Sequence, residues 1–287
     1  MKKLLILSGK GGTGKTTTAA AFIHFANAKA MADCDVDAPN LHIVTSMAVE
    51  PERSNFIGAE KAVIDPSKCI GCGLCLSKCR FDAIVRKNGH CEVIPEACEG
   101  CAVCAYVCPR KAVTMNEDVA GEQQLYRTDD RVFSTAKLKM GRGNSGKLVT
   151  AVKQAMEKNA PQTDLAIIDG SPGIGCPVIA SVSGVDLVLV VAEPSMSGRS
   201  DLERLVETAR SLEVKLAVCV NKWDASPENT EAIEATCREL ELPFVGRIPY
   251  DKTASAAINA GKSIAEIDCP ARKALHEVFE RTMEVLG

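Results

Sequence analysis

Hydrophobic and polar positions along this chain predict short buried strands that alternate with helices. Continuous apolar runs, which are typical of parallel strands covered on both faces, occur at residues 3–7, 165–168, 187–191 and 216–220. Helical patterns occur near residues 15–28, 199–211, 227–240 and 270–286. Ser226, Pro227 and Glu228 mark the start of the third helix as an N-cap, a first-turn proline and a first-turn acid. We therefore expect an α/β fold, a parallel sheet with right-handed crossovers and helices on both faces.

A cysteine-rich block interrupts this rhythm. Residues 63–116 hold most of the 14 cysteines, together with much glycine and proline, and no long helical pattern. The same spacing of cysteines occurs twice in this block, as an internal repeat. The sequence thus predicts one α/β domain formed by residues 1–62 and 117–287, with residues 63–116 as an inserted α+β domain.

Composition narrows the function classes. The chain is 46% hydrophobic and 25% charged, with a formal net charge of −3, so nucleic acid and anionic membranes are not expected partners. No apolar run approaches the roughly 18 residues of a spanning helix, and the apolar start runs directly into glycines without a cleavage site. We expect a cytoplasmic location, where cysteine used this heavily indicates metal binding rather than disulfides.

Residues 9–16 form a phosphate-binding loop. They satisfy G-x-x-x-x-G-K-S/T directly after a predicted strand and before a predicted helix. Glycines there let backbone N–H groups approach phosphate oxygens, Lys15 would reach the β- and γ-phosphates, and the Thr16 hydroxyl would bind Mg²⁺. The expected nucleotide-binding residues of this loop are Gly9, Gly11, Gly12, Thr13, Gly14, Lys15, Thr16 and Thr17.

Lys10 adds a second lysine early in this loop, in the run Lys-Gly-Gly-Thr-Gly-Lys-Thr. The run resembles the deviant-Walker P-loop ATPases: the MinD/ParA type, the Mrp-type cluster carriers and the nitrogenase iron protein. The resemblance implies a homodimer with nucleotide at the interface, in which Lys10 reaches the nucleotide of the partner subunit. Such a cation would stabilise developing charge as an arginine finger does. The alternative is a solvated loop lysine.

Two further segments resemble the switches of that family. Residues 33–41 look like the first switch, where a carboxylate orients the attacking water; Asp35 is the first choice, and Asp33 the second choice or an outer Mg²⁺ partner. Residues 167–173 look like the Walker B strand and second switch, with Asp169 holding Mg²⁺ through water. An aspartate after a strand can also be a turn residue.

The base-binding residues leave ATP and GTP open. Asn221, Lys222 and Asp224 match the Asn-Lys-x-Asp motif of GTPases, whereas in the deviant-Walker family an asparagine at such a place meets adenine. Pro249 and Asp251 lie in a stretch that covers the base in that family. ATP is favoured by the resemblance alone.

The cysteine runs share the spacing C-x2-C-x2-C-x3-C, which is the bacterial ferredoxin pattern for two [4Fe–4S] clusters. In that pattern the fourth cysteine of each run binds the other run's cluster. The first cluster is therefore assigned to Cys69, Cys72, Cys75 and Cys108, and the second to Cys98, Cys101, Cys104 and Cys79. Zinc sites use paired C-x-x-C knuckles and do not fit two full sets of four.

The remaining cysteines are expected to have other roles. Cys219 and Cys237 lie in apolar patterns and should be small buried side chains, while Cys91 falls between the two runs and is not an expected ligand. Cys176 follows the second switch, where the nitrogenase iron protein draws a cluster ligand. We consider a redox-active or transiently metal-binding thiol there, against a packing role.

The chain as a whole resembles a MinD-superfamily ATPase with an inserted ferredoxin domain. The favoured interpretation is that ATP binding and hydrolysis are coupled to low-potential electron transfer, in the service of metallocofactor assembly, with an unidentified redox or assembly protein as partner. The alternatives are an ATP-dependent carrier or scaffold for iron–sulfur clusters or metal cofactors, and a MinD-like positioning ATPase. The last needs a membrane anchor, but the amphipathic tail at residues 275–286 is acidic and is expected to be a packed helix.

Overall fold

The computed structural model describes residues 1–45 and 47–287, apart from the side chains of residues 255, 258 and 259. The strands are β1 (Lys2–Leu7), β2 (Ala30–Asp33), β3 (Glu52–Ile57), β4 (Lys61–Ile64), β5 (Ile84–Lys87), β6 (His90–Val93), β7 (Val113–Asn116), β8 (Val119–Arg127), β9 (Val132–Leu138), β10 (Leu165–Asp169), β11 (Leu187–Ala192), β12 (Lys215–Asn221) and β13 (Phe244–Ile248). The helices are α1 (Lys15–Phe25), α2 (His42–Thr45), α3 (Leu74–Lys78), α4 (Val103–Val107), α5 (Ser145–Asn159), α6 (Cys176–Val182), α7 (Met196–Ser211), α8 (Pro227–Glu239), α9 (Lys252–Asn259) and α10 (Pro270–Leu286), with 3₁₀ turns at Trp223–Ala225 and Ile264–Glu266. None of the described helices has the length and apolar content needed to cross a bilayer.

The chain divides into two compact units. The first unit comprises Met1–Arg53, Gln123–Lys137 and Gly146–Gly287, and the second unit comprises Ser54–Glu122 and Leu138–Ser145. Strands β3, β8 and β9 each begin in one unit and end in the other. The chain therefore passes between the units within strands, not only through loops.

The main sheet has nine strands in the order β13-β12-β11-β1-β10-β2-β9-β8-β3. Every neighbouring pair from β13 to β9 is parallel. Strand β11 is buried along its whole length, as its continuous apolar sequence predicts. The predicted α/β fold with a large, mostly parallel sheet is confirmed, and it places the carboxyl ends of β1, β2 and β10 side by side.

Helices α1 and α10 cover the hydrophobic core of the first unit. Phe22 of α1 is fully buried and meets Phe279 of α10 edge-on, with ring centroids 5.1 Å apart. Leu275, Val278 and Leu286 of α10 are also buried. The tail is thus a packed terminal helix, as expected from its sequence.

The second unit contains two antiparallel strand pairs, β4 with β7 and β5 with β6, and the short helices α3 and α4. Its small cores consist largely of cysteine, alanine and branched aliphatic side chains. The described helices of this unit have five residues each, in agreement with the absence of a long helical pattern.

Helix boundaries differ from the predicted ones where local side-chain contacts decide them. Helix α7 begins at Met196 because the Ser195 hydroxyl accepts a hydrogen bond from the Gly198 N–H. Ser226 precedes α8 as predicted, but it caps no backbone N–H. Its hydroxyl instead accepts a hydrogen bond from the Asn229 side chain at 2.8 Å. The sequence identified this helix start but not its contact.

Candidate functional site

The loop between β1 and α1 lines a cavity of about 240 Å³. Gly12 and Gly14 have φ values of 80° and 95°, which favour glycine. A Cβ on Gly14 would also lie 2.2 Å from the Asn221 Nδ2 atom, so a larger residue is excluded twice over. Lys10, Gly11, Gly12, Thr13, Gly14, Lys15, Thr16 and Thr17 all line the cavity. Gly9 lies in the same loop, outside that lining, and an added Cβ there would be 2.1 Å from the Asp201 Cβ.

Lys15 is held by a buried carboxylate at the base of this cavity. Its Nζ lies 2.7 Å from Asp169 Oδ1 and 3.7 Å from Asp35 Oδ2. The Thr16 hydroxyl donates to Asp169 Oδ2 at 2.6 Å. Burial works to lower the pKa of Lys15, but the charge and hydrogen bond of Asp169 outweigh it and the pKa is raised. The lysine is therefore charged and tied to the two side chains expected to hold Mg²⁺.

Asp33 shapes the segment that follows β2. Its carboxylate accepts hydrogen bonds from the N–H groups of Asp35, Asn40 and Leu41, each at 3.0 Å. Burial, and then the nearby Asp169 charge, raise the pKa of Asp33 to about 7. The Asp33 carboxylate thus binds the backbone of the segment that follows it, and Asp33 does not line the cavity.

Asp35 is the carboxylate of this segment that lines the cavity. Burial raises its pKa, against the attraction of Lys15. An open carboxylate beside the phosphate loop can accept a proton or a hydrogen bond from water in the cavity. Of these two aspartates, only Asp35, the first choice from the sequence, lines the cavity.

Lys10 pairs with its own chain in this structure. Its Nζ lies 2.5 Å from Glu193 Oε2 and 3.3 Å from the Ser197 hydroxyl. The other oxygen of Glu193 lies 3.8 Å from Lys222 Nζ, which donates to the Gly12 carbonyl at 2.9 Å. Glu193 was not predicted from the sequence, because nothing local marks an acid that follows β11 and meets the loop through the fold. The role of Lys10 towards a partner subunit stays a prediction.

A second cavity of about 150 Å³ adjoins the first. Gly12, Gly14 and Thr17 line both. The residues predicted to contact the base, Asn221, Pro249 and Asp251, all line this second cavity. The Asn221 side chain donates to the Thr13 carbonyl at 2.7 Å and so also braces the phosphate loop.

Two polar contacts fix the edge of this cavity. Asp224 Oδ1 accepts the Tyr250 N–H at 2.7 Å, and the Asp251 carboxylate accepts the Thr253 N–H at 2.9 Å. The first cavity offers the phosphate loop, the Thr16 hydroxyl and the Asp35 carboxylate. The second cavity has partly apolar walls. This donor set fits a nucleoside triphosphate with Mg²⁺.

The second unit holds two cavities lined by cysteines. One is lined by Cys69, Cys72, Cys75, Cys91 and Cys108, and the other by Cys79, Cys98, Cys101 and Cys104. Each cavity thus takes three thiols from one run and the fourth from the other, because β4 pairs with β7 and brings the ends of the block together. Positive-φ residues precede α3 and α4, namely Gly73 at 75° and Ala102 at 61°.

Backbone N–H groups are directed at several of these sulfurs. Cys69 Sγ accepts from the N–H groups of Gly71 and Cys91, and these bonds lower the pKa of the thiol. The Ala112 N–H donates to Cys108 Sγ at 3.3 Å. Such bonds stabilise sulfur that carries negative charge, as a metal-bound thiolate does.

No three His, Cys, Asp or Glu side chains among the described residues converge tightly enough to hold one metal ion. A single zinc ion draws its sulfurs to about 2.3 Å from one point, whereas a four-iron cluster takes one thiolate per iron. Each cavity offers at least four thiols, one for each iron of such a cluster. The residues fit two [4Fe–4S] clusters by number and by chemistry.

The other cysteines fall into two groups. Cys34, Cys219, Cys237 and Cys269 are buried, which for Cys219 and Cys237 is the predicted packing role. Cys176 is exposed at the first residue of α6, and its proposed reactivity stays a prediction. Cys91 is only 2% exposed and lines the first cysteine cavity. Cys91 was predicted to lie outside the ligand set, and its position on this cavity, which the β5–β6 hairpin determines, was not predicted.

A family comparison matches the geometry of the first unit. Residues 4–264 match the model of the CobQ/CobB/MinD/ParA nucleotide-binding domain. The chain belongs to this family. A nucleotide is therefore the ligand of the phosphate loop, as its sequence predicted.

Individual relatives add detail. An uncharacterised protein of Methanocaldococcus jannaschii is 36% identical over 99% of this chain and 97% of its own. The iron–sulfur cluster carrier protein of Pyrococcus abyssi is 26% identical over 99% of this chain and 86% of its own. The cell division ATPase MinD of Pyrococcus furiosus has the same fold, with a TM-score of 0.58 at 17% identity and 99% coverage of both chains.

Proposed function

We propose that this protein is an ATP-hydrolysing iron–sulfur protein that couples its nucleotide state to low-potential electron transfer through two [4Fe–4S] clusters. The observation that carries the proposal is the crossed set of cysteines: each cavity of the second unit is lined by three cysteines of one run and the fourth of the other. This arrangement occurs in a chain that also has a complete phosphate loop.

The residues of the first unit have distinct tasks in the proposed hydrolysis. Backbone N–H groups of residues 11–16 bind the phosphates, and Lys15 exchanges Asp169 for the β- and γ-phosphate oxygens. Mg²⁺, held by Thr16 and by Asp169 through water, would neutralise phosphate charge. Asp35 orients the attacking water, and its position on the cavity supports this choice over Asp33.

Release of Lys10 from Glu193 would let it act across a homodimer interface. The 2.5 Å ion pair keeps Lys10 within its own chain in this structure. In a nucleotide-bound dimer, the lysine would meet the phosphates of the partner's nucleotide, where it stabilises negative charge developing during hydrolysis. This proposal rests on the Lys-Gly-Gly-Thr-Gly-Lys-Thr run and the family membership.

Adenine is the proposed base. In a GTPase-type site the aspartate of the Asn-Lys-x-Asp motif must accept from guanine, but here Asp224 does not line the base-side cavity, and one of its oxygens accepts the Tyr250 N–H. Asn221 lines that cavity; its amide donates to the Thr13 carbonyl and accepts the Lys222 N–H, which leaves one N–H and one oxygen lone pair for a purine edge. The position of Asp224 outside the lining supports ATP over GTP.

The iron–sulfur assignment is supported by the chemistry of the two cavities. When bound, [4Fe–4S] clusters supply one-electron transfer at low potential. Cys69, Cys72, Cys75 and Cys108 would hold the first, and Cys79, Cys98, Cys101 and Cys104 the second. N–H donors to Cys69 and Cys108 would favour the charged, metal-bound sulfur and tune its potential.

A second candidate function is an ATP-dependent carrier of iron–sulfur clusters. The relative from Pyrococcus abyssi is named an iron–sulfur cluster carrier protein and aligns with nearly the whole chain. Against this candidate, the sequence has no C-x-x-C pair outside residues 63–116. Such a pair is what the Mrp-type carriers use to bridge a labile cluster between subunits.

Anaerobic purification tests the proposal and separates the two candidates. We expect about eight iron and about eight acid-labile sulfide per chain. We also expect ATP hydrolysis that exceeds GTP hydrolysis. The protein is then mixed with an apo-ferredoxin acceptor with and without Mg-ATP. Retention of iron under both conditions supports the redox function, whereas ATP-dependent transfer of iron and sulfide supports the carrier. Purified protein without iron or without nucleotide binding would contradict both.

A further inference from the structure

The first cysteine cavity contains one thiol more than a cluster needs. Cys91 lines this cavity with the four cysteines assigned to the first cluster. Among the residues that line the second cavity, the only cysteines are the four assigned ones. Because the two runs have the same spacing, this fifth cysteine is the chemical difference between two otherwise equivalent thiol sets.

Cys91 is positioned by a short hairpin. It lies on β6, opposite Arg86 of β5, and is 2% exposed. Its neighbour His90 is also tied to the cavity, since His90 Nδ1 lies 3.0 Å from the Cys69 carbonyl. Two consecutive residues of the hairpin, His90 and Cys91, therefore lie against the first cysteine run.

Cys91 shares a small buried cluster with the first run. Cys75, Ile84 and Cys91 form this cluster, and Cys69 packs against it. Cys69, Cys75 and Cys91 also line the same cavity. The Cys91 side chain therefore lies on the cavity wall beside the positions from which Cys69 and Cys75 would bind iron.

We propose that Cys91 is a reserve ligand of the first cluster, able to replace Cys75 or Cys69. The inference rests on the proposed iron–sulfur function. When Cys75 is lost, the Cys91 thiol gives its proton to solvent and its sulfur binds the iron that Cys75 would have held. One thiolate replaces another, so the exchange needs no oxidant or reductant. The first cluster thereby tolerates damage to a ligand that the second cluster does not.

The test compares single and double variants at equivalent positions. Cys75 and Cys104 are each the third cysteine of their run, so Cys75→Ala and Cys104→Ala are matched, and Cys75→Ala/Cys91→Ala removes the reserve thiol. Iron and sulfide are counted after anaerobic purification, and electron paramagnetic resonance spectra are recorded for oxidised and reduced protein. We expect Cys75→Ala to keep about eight iron and no three-iron signal.

Cys104→Ala should lose at least about one iron per chain, and its second cluster should give an oxidised three-iron signal or no signal. The double variant should lose as much iron, and its first cluster should give an oxidised three-iron signal or no signal. Cys91→Ala alone should keep about eight iron. The proposal is overturned if Cys75→Ala loses as much iron as Cys104→Ala or as the double variant. Cys69→Ala, compared with Cys98→Ala, repeats the comparison should Cys75→Ala not fold. Wild-type protein without iron would instead contradict the proposed function itself, and the reserve ligand with it.

Discussion

At the scale of single residues, the nucleotide site is a cluster of three carboxylates around one lysine. Asp33 and Asp169 are fully buried, and Asp35 faces the cavity. Lys15 is the cation that meets this charge directly, through the 2.7 Å bond to Asp169. A buried carboxylate is costly unless a cation neutralises it, and Lys15 does so for Asp169 in this structure. In the proposed hydrolysis, Mg²⁺ would take over that charge as Lys15 moves to phosphate.

Replacing Lys15 tests this arrangement. We expect Lys15→Met to reduce ATP hydrolysis at least about 100-fold, because the phosphates lose their main cation. The iron content should not change, because Lys15 belongs to the first unit. Steady-state phosphate release and iron analysis measure the two outcomes. Lys29→Met, at an exposed lysine of the same unit, serves as the control and should hydrolyse ATP at the wild-type rate. Unchanged hydrolysis in Lys15→Met would contradict the site.

The raised pKa of Asp33 should make the free energy of unfolding depend on pH when nucleotide and Mg²⁺ are absent. Its pKa is about 7 in the folded chain, against about 4 when unfolded. The folded state therefore binds the Asp33 proton more tightly than the unfolded state does. The resulting contribution to the free energy of unfolding is complete below about pH 4 and is lost as the pH rises to about 7. We expect the unfolding free energy to fall over that range by roughly 2–4 kcal/mol more in wild type than in Asp33→Asn. Denaturant titrations at several pH values measure the difference, and parallel curves for the two proteins would contradict it.

At the scale of elements, a buried lysine joins α5 to α6. Lys153 Nζ donates to the carbonyls of Ala180, Ser181 and Ser183, at 3.0, 2.7 and 2.6 Å. These carbonyls lie at the C-terminal end of α6, where helix carbonyls lack partners and a cation is favourable. Helix α6 follows the Asp169 segment, and α5 starts where the chain leaves the second unit. Lys153 therefore joins the C-terminal end of α6 to α5.

Loss of this contact should be costly. We expect Lys153→Met to lower the unfolding free energy by roughly 2–4 kcal/mol, because buried carbonyls lose their donor. Lys147→Met lies on the exposed face of the same helix and should change it by less than about 0.5 kcal/mol. Urea denaturation of both variants measures the difference. Equal stability of the two variants would show that the bonds to α6 contribute nothing.

Much of the element pattern was predictable from local sequence. The strands that end at Leu7, Asp169 and Ala192 were marked by continuous apolar runs, and the phosphate loop by its glycines and lysine. The antiparallel segment of β8 and β9 carries no comparable run and gave no functional prediction. Residues whose role depends on distant partners were missed for a physical reason: Glu193, Lys153 and Cys91 are each brought to their contacts by the fold, not by sequence neighbours.

At the scale of the whole molecule, three strands carry the chain from one unit to the other. Strand β9 pairs with β2, which ends at Asp33, and β9 then continues into residues 138–145 of the second unit. Helix α5 follows directly and carries Lys153. Strand β2 and helix α6 are therefore connected, by strand pairing and by hydrogen bonds, to segments that continue into the second unit. The proposed coupling requires two states of these segments that nucleotide binding distinguishes.

The reduction potential of the clusters, with and without Mg-ATP, tests that coupling most directly. Potentiometric titrations monitored by electron paramagnetic resonance are recorded for wild type and for Lys15→Met. We expect the reduction potential to shift by about 60 mV or more in wild type, a tenfold change in the one-electron equilibrium, and not to shift in the variant. Identical potentials with and without Mg-ATP, in wild-type protein that binds ATP and holds its iron, would contradict it.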